Sequence, residues 1–177
     1  MNRVACLRFF AICTIVIGLE GCASFNKEEM VVFDYDSNNP HPYSLSIDVG
    51  AGNEKSDVGL IPVPRKDLLF AIEKSIRNGH VFESVVFSGE DGDYLLNVSV
   101  FSLEQPVMGF NMTVKIEAGW TLKKADGDVV WQKLIKSEYT LGVSDAFVGQ
   151  TRLRMANDGA IRENIRQGMI QIAGLNI

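Results

Sequence analysis

Histidine, cysteine and serine are the residues of this chain that could perform catalysis or bind a metal, but their spacing supports neither. The two histidines, His41 and His80, stand far apart, one in a turn-rich segment and one just past a helical pattern. They form no His-Glu-x-x-His pair, and no serine stands in a nucleophile-elbow pattern. We therefore predict a protein that is not an enzyme and that uses no metal or other cofactor.

Three pairs of aspartates resemble the beginning of a calcium-binding loop, but none continues into the twelve-residue ligand loop that ends in glutamate. Asp-Gly sequences favour tight turns, because both residues tolerate the backbone conformations that turns require. We therefore predict turns at all three places, which are Asp34 and Asp36, Asp91 and Asp93, and Asp126 and Asp128.

The N-terminus has the pattern of a secretion signal. Arg3 and Arg8 supply positive charge, and an apolar run follows over residues 9–19. This run is shorter than the roughly 20 residues that a helix needs to cross a bilayer. We predict a signal peptide over residues 1–21.

The end of this segment resembles the bacterial lipobox. Leu19 stands three places before Cys22 and Gly21 directly before it, whereas Glu20 departs from the small or apolar residue usual there. The resemblance implies cleavage between Gly21 and Cys22, a diacylglycerol thioether on Cys22, and N-acylation, for example with palmitate. Two or three acyl chains anchor a protein durably, because each buried methylene contributes about 0.8 kcal/mol. An ordinary signal peptide or a short buried helix that contains a cysteine is the alternative.

Cysteine usage and charge limit what the remaining chain can do. Cys6 and Cys13 would leave with the signal peptide and Cys22 would be acylated, so residues 23–177 offer no thiol for catalysis or metal binding. The formal net charge is −5 and no basic run occurs. This excludes the electrostatic pattern of a nucleic-acid-binding protein. We expect the protein to contact the membrane through its N-terminal lipid.

Hydropathy patterns divide the remaining chain into a lipidated cysteine with a flexible tether over residues 22–42 and a single domain over 43–177. Residues 36–42 are polar and rich in turn formers. In the domain, alternating patterns predict strands and 3.6-residue periodicity predicts two helices. The strands are predicted at 43–49, 81–87, 94–103, 110–122 and 129–139, and the helices at 65–78 and 150–172.

The order β-α-β-β-β-β-α predicts an α+β fold. We expect a two-layer sandwich in which two helices cover one face of an antiparallel sheet of four to five strands. The alternation slips near Phe101, which indicates a β-bulge. Gly159 and Gly168 interrupt the last helix at a cost of about 1 kcal/mol each against alanine, which indicates close approach to the sheet.

Met108, Phe110, Met112 and Phe147 are the candidate partner-binding residues. Methionine and phenylalanine beside turn-forming residues provide an adaptable contact surface. Phe147 lies in a second apolar stretch, residues 141–148, which joins the last strand to the last helix. The alternative is ordinary core packing, because apolar side chains are mostly buried.

The layout resembles the small accessory lipoproteins of Gram-negative envelopes. These are the auxiliary lipoproteins of ABC-type transport, the LPS-assembly lipoprotein and the TolB amino-terminal-like domain. The resemblance is carried by the lipobox, the hairpin over residues 120–131 and the helix run 162–165. It implies anchoring in the outer membrane facing the periplasm, since Ala23 and Ser24 are not the aspartate associated with inner-membrane retention.

Two functions remain open after this comparison. The first is a non-enzymatic accessory or assembly factor, anchored by lipid, that binds another envelope component, with an envelope protein as the expected partner. The second is a periplasmic module that binds lipid, glycan or peptidoglycan. A homo-oligomer is compatible with either function.

Overall fold

The computed structural model describes residues 25–50, 62–86 and 90–177. This part of the chain forms five strands and two helices in the predicted order β-α-β-β-β-β-α, which confirms the α+β class. The elements are β1 (His41–Gly50), α1 (Arg65–Asn78), β2 (Phe82–Val85), β3 (Tyr94–Glu104), β4 (Met112–Lys124), β5 (Val129–Leu141) and α2 (Gly149–Ala173).

The strands form one mixed sheet in the order β2-β1-β3-β4-β5. The prediction of an antiparallel sheet is wrong for β1, which pairs in parallel with both β2 and β3. The reason lies in the register. β2 ends opposite Leu45 and β3 begins opposite the same residue, on the other side of β1. The chain therefore passes from β2 to β3 without reversing its direction. Only the pairs β3–β4 and β4–β5 are antiparallel.

A β-bulge interrupts β3, as the sequence predicted. The pairing of β3 with β4 shifts between Val100 and Ser102, which leaves Phe101 as the extra residue. The Phe101 ring lies over Gly119 of β4, where an added Cβ would come within 2.4 Å of it. The bulge thus places a large ring over a position that has no side chain.

α2 packs across β4 and β5, while α1 contacts β1, β2 and α2. The closest approach is at Gly159, where an added Cβ would lie 2.4 Å from the Tyr139 ring, and at Gly168 an added Cβ would lie 2.8 Å from the Trp120 ring. Both glycines were predicted to mark such contacts, and the structure confirms this. The buried Trp120 Nε1 donates to Asn164 Oδ1 (3.0 Å), so the indole is both packed and hydrogen-bonded.

The described part of the predicted tether, residues 25–42, is packed against the two helices. The Val32 amide donates to Ser75 Oγ of α1 (2.9 Å), and the Glu29 carbonyl accepts from Arg162 of α2 (2.7 Å). Met30, Val31 and Val32 are almost completely buried. The prediction of a flexible tether is wrong for this stretch, because its apolar side chains are buried and its backbone is hydrogen-bonded to both helices. Residues 22–24 of the predicted tether lie outside the described residues.

Replacing Ile165 by aspartate should abolish cooperative unfolding. Ile165 is fully buried in α2, so the substitution would bury an unpaired carboxylate at a cost of several kcal/mol. That cost is comparable with a domain's whole stability of about 5 to 15 kcal/mol. Ile170→Asp, at a half-exposed position of the same helix, is the matched control and should change the free energy of unfolding little. Urea unfolding followed by tryptophan fluorescence measures both, and equal midpoints would contradict the assigned buried face.

Candidate functional site

Two loops meet at one end of the sheet, and they carry the candidate contact residues. The first loop joins β3 to β4 and comprises residues 105–111, and the second joins β5 to α2 and comprises residues 142–148. They are neighbours because Met112, where β4 begins, pairs with Leu141, where β5 ends. We call these two loops together the tip.

The tip exposes large apolar side chains to solvent. The side chains of Val107, Met108, Phe110 and Phe147 are 81% to 92% exposed. Asp145 is the only charged residue in the two loops. Single exposed apolar residues are common on protein surfaces, whereas several large ones on two neighbouring loops are typical of a contact site.

Three of the four predicted contact residues, Met108, Phe110 and Phe147, belong to the tip. Met112 does not, since it is buried as the first core-facing residue of β4. The core-packing alternative is therefore correct for Met112. Phe110 lies two residues earlier, before the strand begins, and its side chain is exposed.

Arg152, in the first turn of α2, holds the two loops together. Its Nη1 donates to the carbonyls of Ala146 (2.6 Å) and Phe147 (3.0 Å), and its Nη2 donates to the carbonyl of Gly109 (3.2 Å). The residue is buried, and its Nε has no hydrogen-bond partner among the described residues. The guanidinium charge is thus stabilised by carbonyl dipoles from both loops.

Sequence reasoning missed the role of Arg152. An arginine off the apolar stripe of an amphipathic helix is ordinarily exposed, and no local pattern indicates that it turns towards neighbouring loops. Arginine presents five donors in a rigid fork, which suits it to bridging several carbonyls at once. A second contact joins the first loop to α2, since Gln105 Nε2 donates to Asn157 Oδ1 (3.0 Å).

Further along α2, Asp158 fixes the beginning of the described chain. Its Oδ1 accepts the Asn26 amide (2.9 Å), and its other oxygen lies 3.4 Å from Arg154. Burial raises the pKa of Asp158 from its ordinary value of 3.8 to about 6, while the Asn26 hydrogen bond and the Arg154 charge act in the opposite direction. A cavity of about 160 Å³ beside it is lined by Glu29, Tyr139, Leu141, Arg154, Met155, Asp158 and Arg162.

The two histidines have structural partners at separate places. The buried His41 is hydrogen-bonded through Nε2 to the Ile172 carbonyl (2.9 Å), and the exposed His80 pairs with Asp36 (2.9 Å). In residues 25–50, 62–86 and 90–177, no three His, Cys, Asp or Glu side chains are grouped so that they could hold a metal ion. The predicted cleavage and lipidation sites, Gly21 and Cys22, lie outside the described residues.

No helix within the described ranges has the length and apolar character needed to cross a membrane. No protein-family model matches the chain, and a comparison with curated proteins finds no match.

Solved structures that are similar to this chain include three bacterial proteins. Protein XCC0632 of family DUF330 from Xanthomonas campestris is 16% identical with a TM-score of 0.51, over 77% of this chain and 91% of that one. Hypothetical protein CT253 from Chlamydia trachomatis is 8% identical with a TM-score of 0.52, over 74% and 98%. Lipoprotein GNA1162 from Neisseria meningitidis is 12% identical with a TM-score of 0.45, over 76% and 100%. At these identities the likeness concerns the fold alone.

Replacing Asp158 by asparagine should change how stability depends on pH. An acid whose pKa is higher in the folded than in the unfolded protein contributes most stability at low pH, and that contribution is lost as pH rises from about 4 to about 6. The amide of the Asp158→Asn variant would not titrate, although its oxygen can still accept the Asn26 amide. The free energy of unfolding of the wild type, relative to Asp158→Asn, should therefore fall across this window and stay constant above it.

Urea unfolding at several pH values measures this difference. Asn38→Ala, at an exposed position whose side chain carries no titratable group, is the control and should leave the pH dependence of stability unchanged. A difference between wild type and Asp158→Asn that rises with pH would contradict the pKa assigned to the buried carboxyl.

Proposed function

We propose that this protein is a lipid-anchored accessory protein of the bacterial envelope, held in the outer membrane and facing the periplasm. It acts by binding another envelope component through the tip, without catalysing a reaction. One observation carries the proposal. Four large apolar side chains are almost fully exposed on two loops, and a buried arginine braces those loops against each other.

The hydrogen bonds of Arg152 indicate that the exposure of the apolar side chains of the tip is a feature of the folded protein. Arg152 donates hydrogen bonds to the backbone of both loops, to the carbonyl of Phe147 in one and to the carbonyl of Gly109 in the other. Loops held in this way lose little conformational entropy on binding, and such preorganisation raises affinity. Burial of apolar surface contributes about 25 cal/mol per Å², so covering these side chains would favour association.

The anchor part of the proposal rests on the sequence at residues 19–24. Leu19, Gly21 and Cys22 match the lipobox, and Ala23 and Ser24 support the outer membrane as destination. The described chain begins at Phe25, only three residues after the cysteine. The folded domain would therefore lie close to the membrane surface.

The alternative of a lipid, glycan or peptidoglycan module between sheet and helices has less support. That interface is filled by fully buried side chains such as Trp120, Ile161 and Met169. A depression of about 670 Å³ lies elsewhere, beside β1 and the β4–β5 turn. Among the residues that the structure describes, its lining includes acidic and basic side chains but no aromatic ring on which a sugar could stack.

Replacing Cys22 by serine should prevent lipidation, because the thiolate is the nucleophile that accepts the diacylglycerol. The variant should take up no labelled palmitate and should partition into the aqueous phase of a detergent two-phase system. Cys13→Ser is the matched control, since Cys13 lies within the predicted signal peptide. That control should keep the label. Acyl label on the Cys22→Ser variant would contradict the lipobox assignment.

Tip contacts can be detected in intact cells with a photocrosslinking amino acid in place of Phe147. The same amino acid in place of Val129, which is half exposed at the opposite end of β5, is the matched control. We expect adducts with an envelope component at position 147 and several-fold fewer at 129. Adding Met108→Ser and Phe110→Ser should remove the adducts at 147.

The serine substitutions should leave folding intact, because changes at exposed positions usually alter stability by within about 0.5 kcal/mol. Thermal melting checks this directly. Equal adduct yields at positions 147 and 129, or yields unaffected by the serine substitutions, would contradict binding through the tip.

A further inference from the structure

The N-terminal segment runs along one side of α2, and its contacts give it a direction. Each successive contact lies about one helical turn or more further along α2. The pairs are the Asn26 amide with Asp158, the Glu29 carbonyl with Arg162, Asp34 with Arg166, and His41 with the Ile172 carbonyl. Followed backwards, the chain therefore runs towards the beginning of α2.

The tip lies at that same end, because α2 begins directly after the second tip loop. Nine residues separate Asp158 from Gly149, which is about 14 Å along a helix that rises 1.5 Å per residue. Four residues lead from Asn26 back to Cys22, and they can span no more than about 14 Å. The chain from Asn26 is thus long enough for an acylated Cys22 to reach the level of the beginning of α2, next to the tip.

We propose that the tip contacts the same bilayer that holds the acyl chains of Cys22. This inference rests on the lipidation included in the proposed function and names the component that the tip binds. The protein would then have two membrane contacts, the lipid on Cys22 and the apolar side chains of Val107, Met108, Phe110 and Phe147. A single anchor allows a domain to rotate, whereas two contacts fix its orientation.

The chemistry of the tip suits a lipid surface. Phenylalanine is among the side chains that peripheral proteins insert at the boundary between headgroups and acyl chains. Backbone carbonyls are costly there unless they are hydrogen-bonded. Arg152 binds the carbonyls of Gly109, Ala146 and Phe147, so the backbone beside the most exposed rings is already satisfied from inside the protein. Asp145 is the only charged side chain of the two loops, and its Oδ2 accepts the Gly142 amide (2.7 Å).

A bilayer contact also sets the orientation of the sheet. β5 ends at the tip and is thirteen residues long, so it begins about 40 Å away at about 3.3 Å per residue. The β4–β5 turn would therefore stand well clear of the membrane. The sheet face opposite the helices, which carries Phe101 and Leu134, would remain accessible to proteins of the periplasm.

The test uses the full-length protein, processed and lipidated, in vesicles of phosphatidylethanolamine and phosphatidylglycerol that contain no other protein. A single cysteine replaces either Phe147 or, as the matched control, Val129, and carries an environment-sensitive fluorophore. Nitroxide-labelled lipids in the bilayer quench fluorophores that enter it. We expect blue-shifted emission and several-fold stronger quenching at position 147 than at 129. Met108→Ser with Phe110→Ser should reduce the quenching at 147.

Three results would overturn the inference, and they have different consequences for the proposed function. Acylated protein, verified by mass spectrometry, whose label at 147 is quenched no more than the label at 129 would overturn the bilayer contact alone. A label at 147 that becomes shielded only after membrane proteins are added would replace lipid by a protein partner. Protein without acyl chains would remove the anchor, and the proposed function would fail together with this inference.

Discussion

The contact between α2 and the sheet is the constraint on which the rest of the structure depends. Trp120 is fully buried against Gly168, where no side chain would fit, and its indole nitrogen is hydrogen-bonded to Asn164. Asn164 in turn donates to the Ile135 carbonyl of β5 (3.0 Å). One helix position is thus tied to two strands, by packing and by a satisfied polar network. A network of this kind fixes the helix in one register, because any slip would leave buried polar groups unpaired.

From this fixed position α2 holds both the tip loops and the N-terminal segment. Its first turn carries Arg152, which joins the two tip loops. Its side carries Asp158 and Arg162, which hold the N-terminal segment. The same helix therefore decides where the apolar side chains are presented and where the chain leaves towards Cys22.

The mixed sheet completes this arrangement. The N-terminal segment passes the end of α2 at His41 and continues directly into β1, which lies between β2 and β3. Movement of the segment would disturb β1 and its neighbouring strands. A force applied to the chain at Phe25 would thus be transmitted to the folded domain.

The sequence alone determined the features that depend on local periodicity and on steric limits. α1 was predicted at its observed bounds, the bulge near Phe101 is present, and Gly159 and Gly168 mark close helix–sheet contacts. The lipobox at Cys22 also belongs to the sequence alone, and it stays a prediction. These features are readable because neighbouring residues are enough to specify them.

Only the tertiary structure decided the direction of β1, the docking of residues 25–42, and the separation of exposed Met108 from buried Met112. It also revealed that Arg152 is a brace between loops. Each of these depends on which distant segments meet. Pairing direction follows from where strands begin relative to one another, and exposure follows from what covers a residue. Neither the direction of strand pairing nor the exposure of a side chain is encoded in the hydropathy periodicity of the neighbouring residues, so both had to come from the fold.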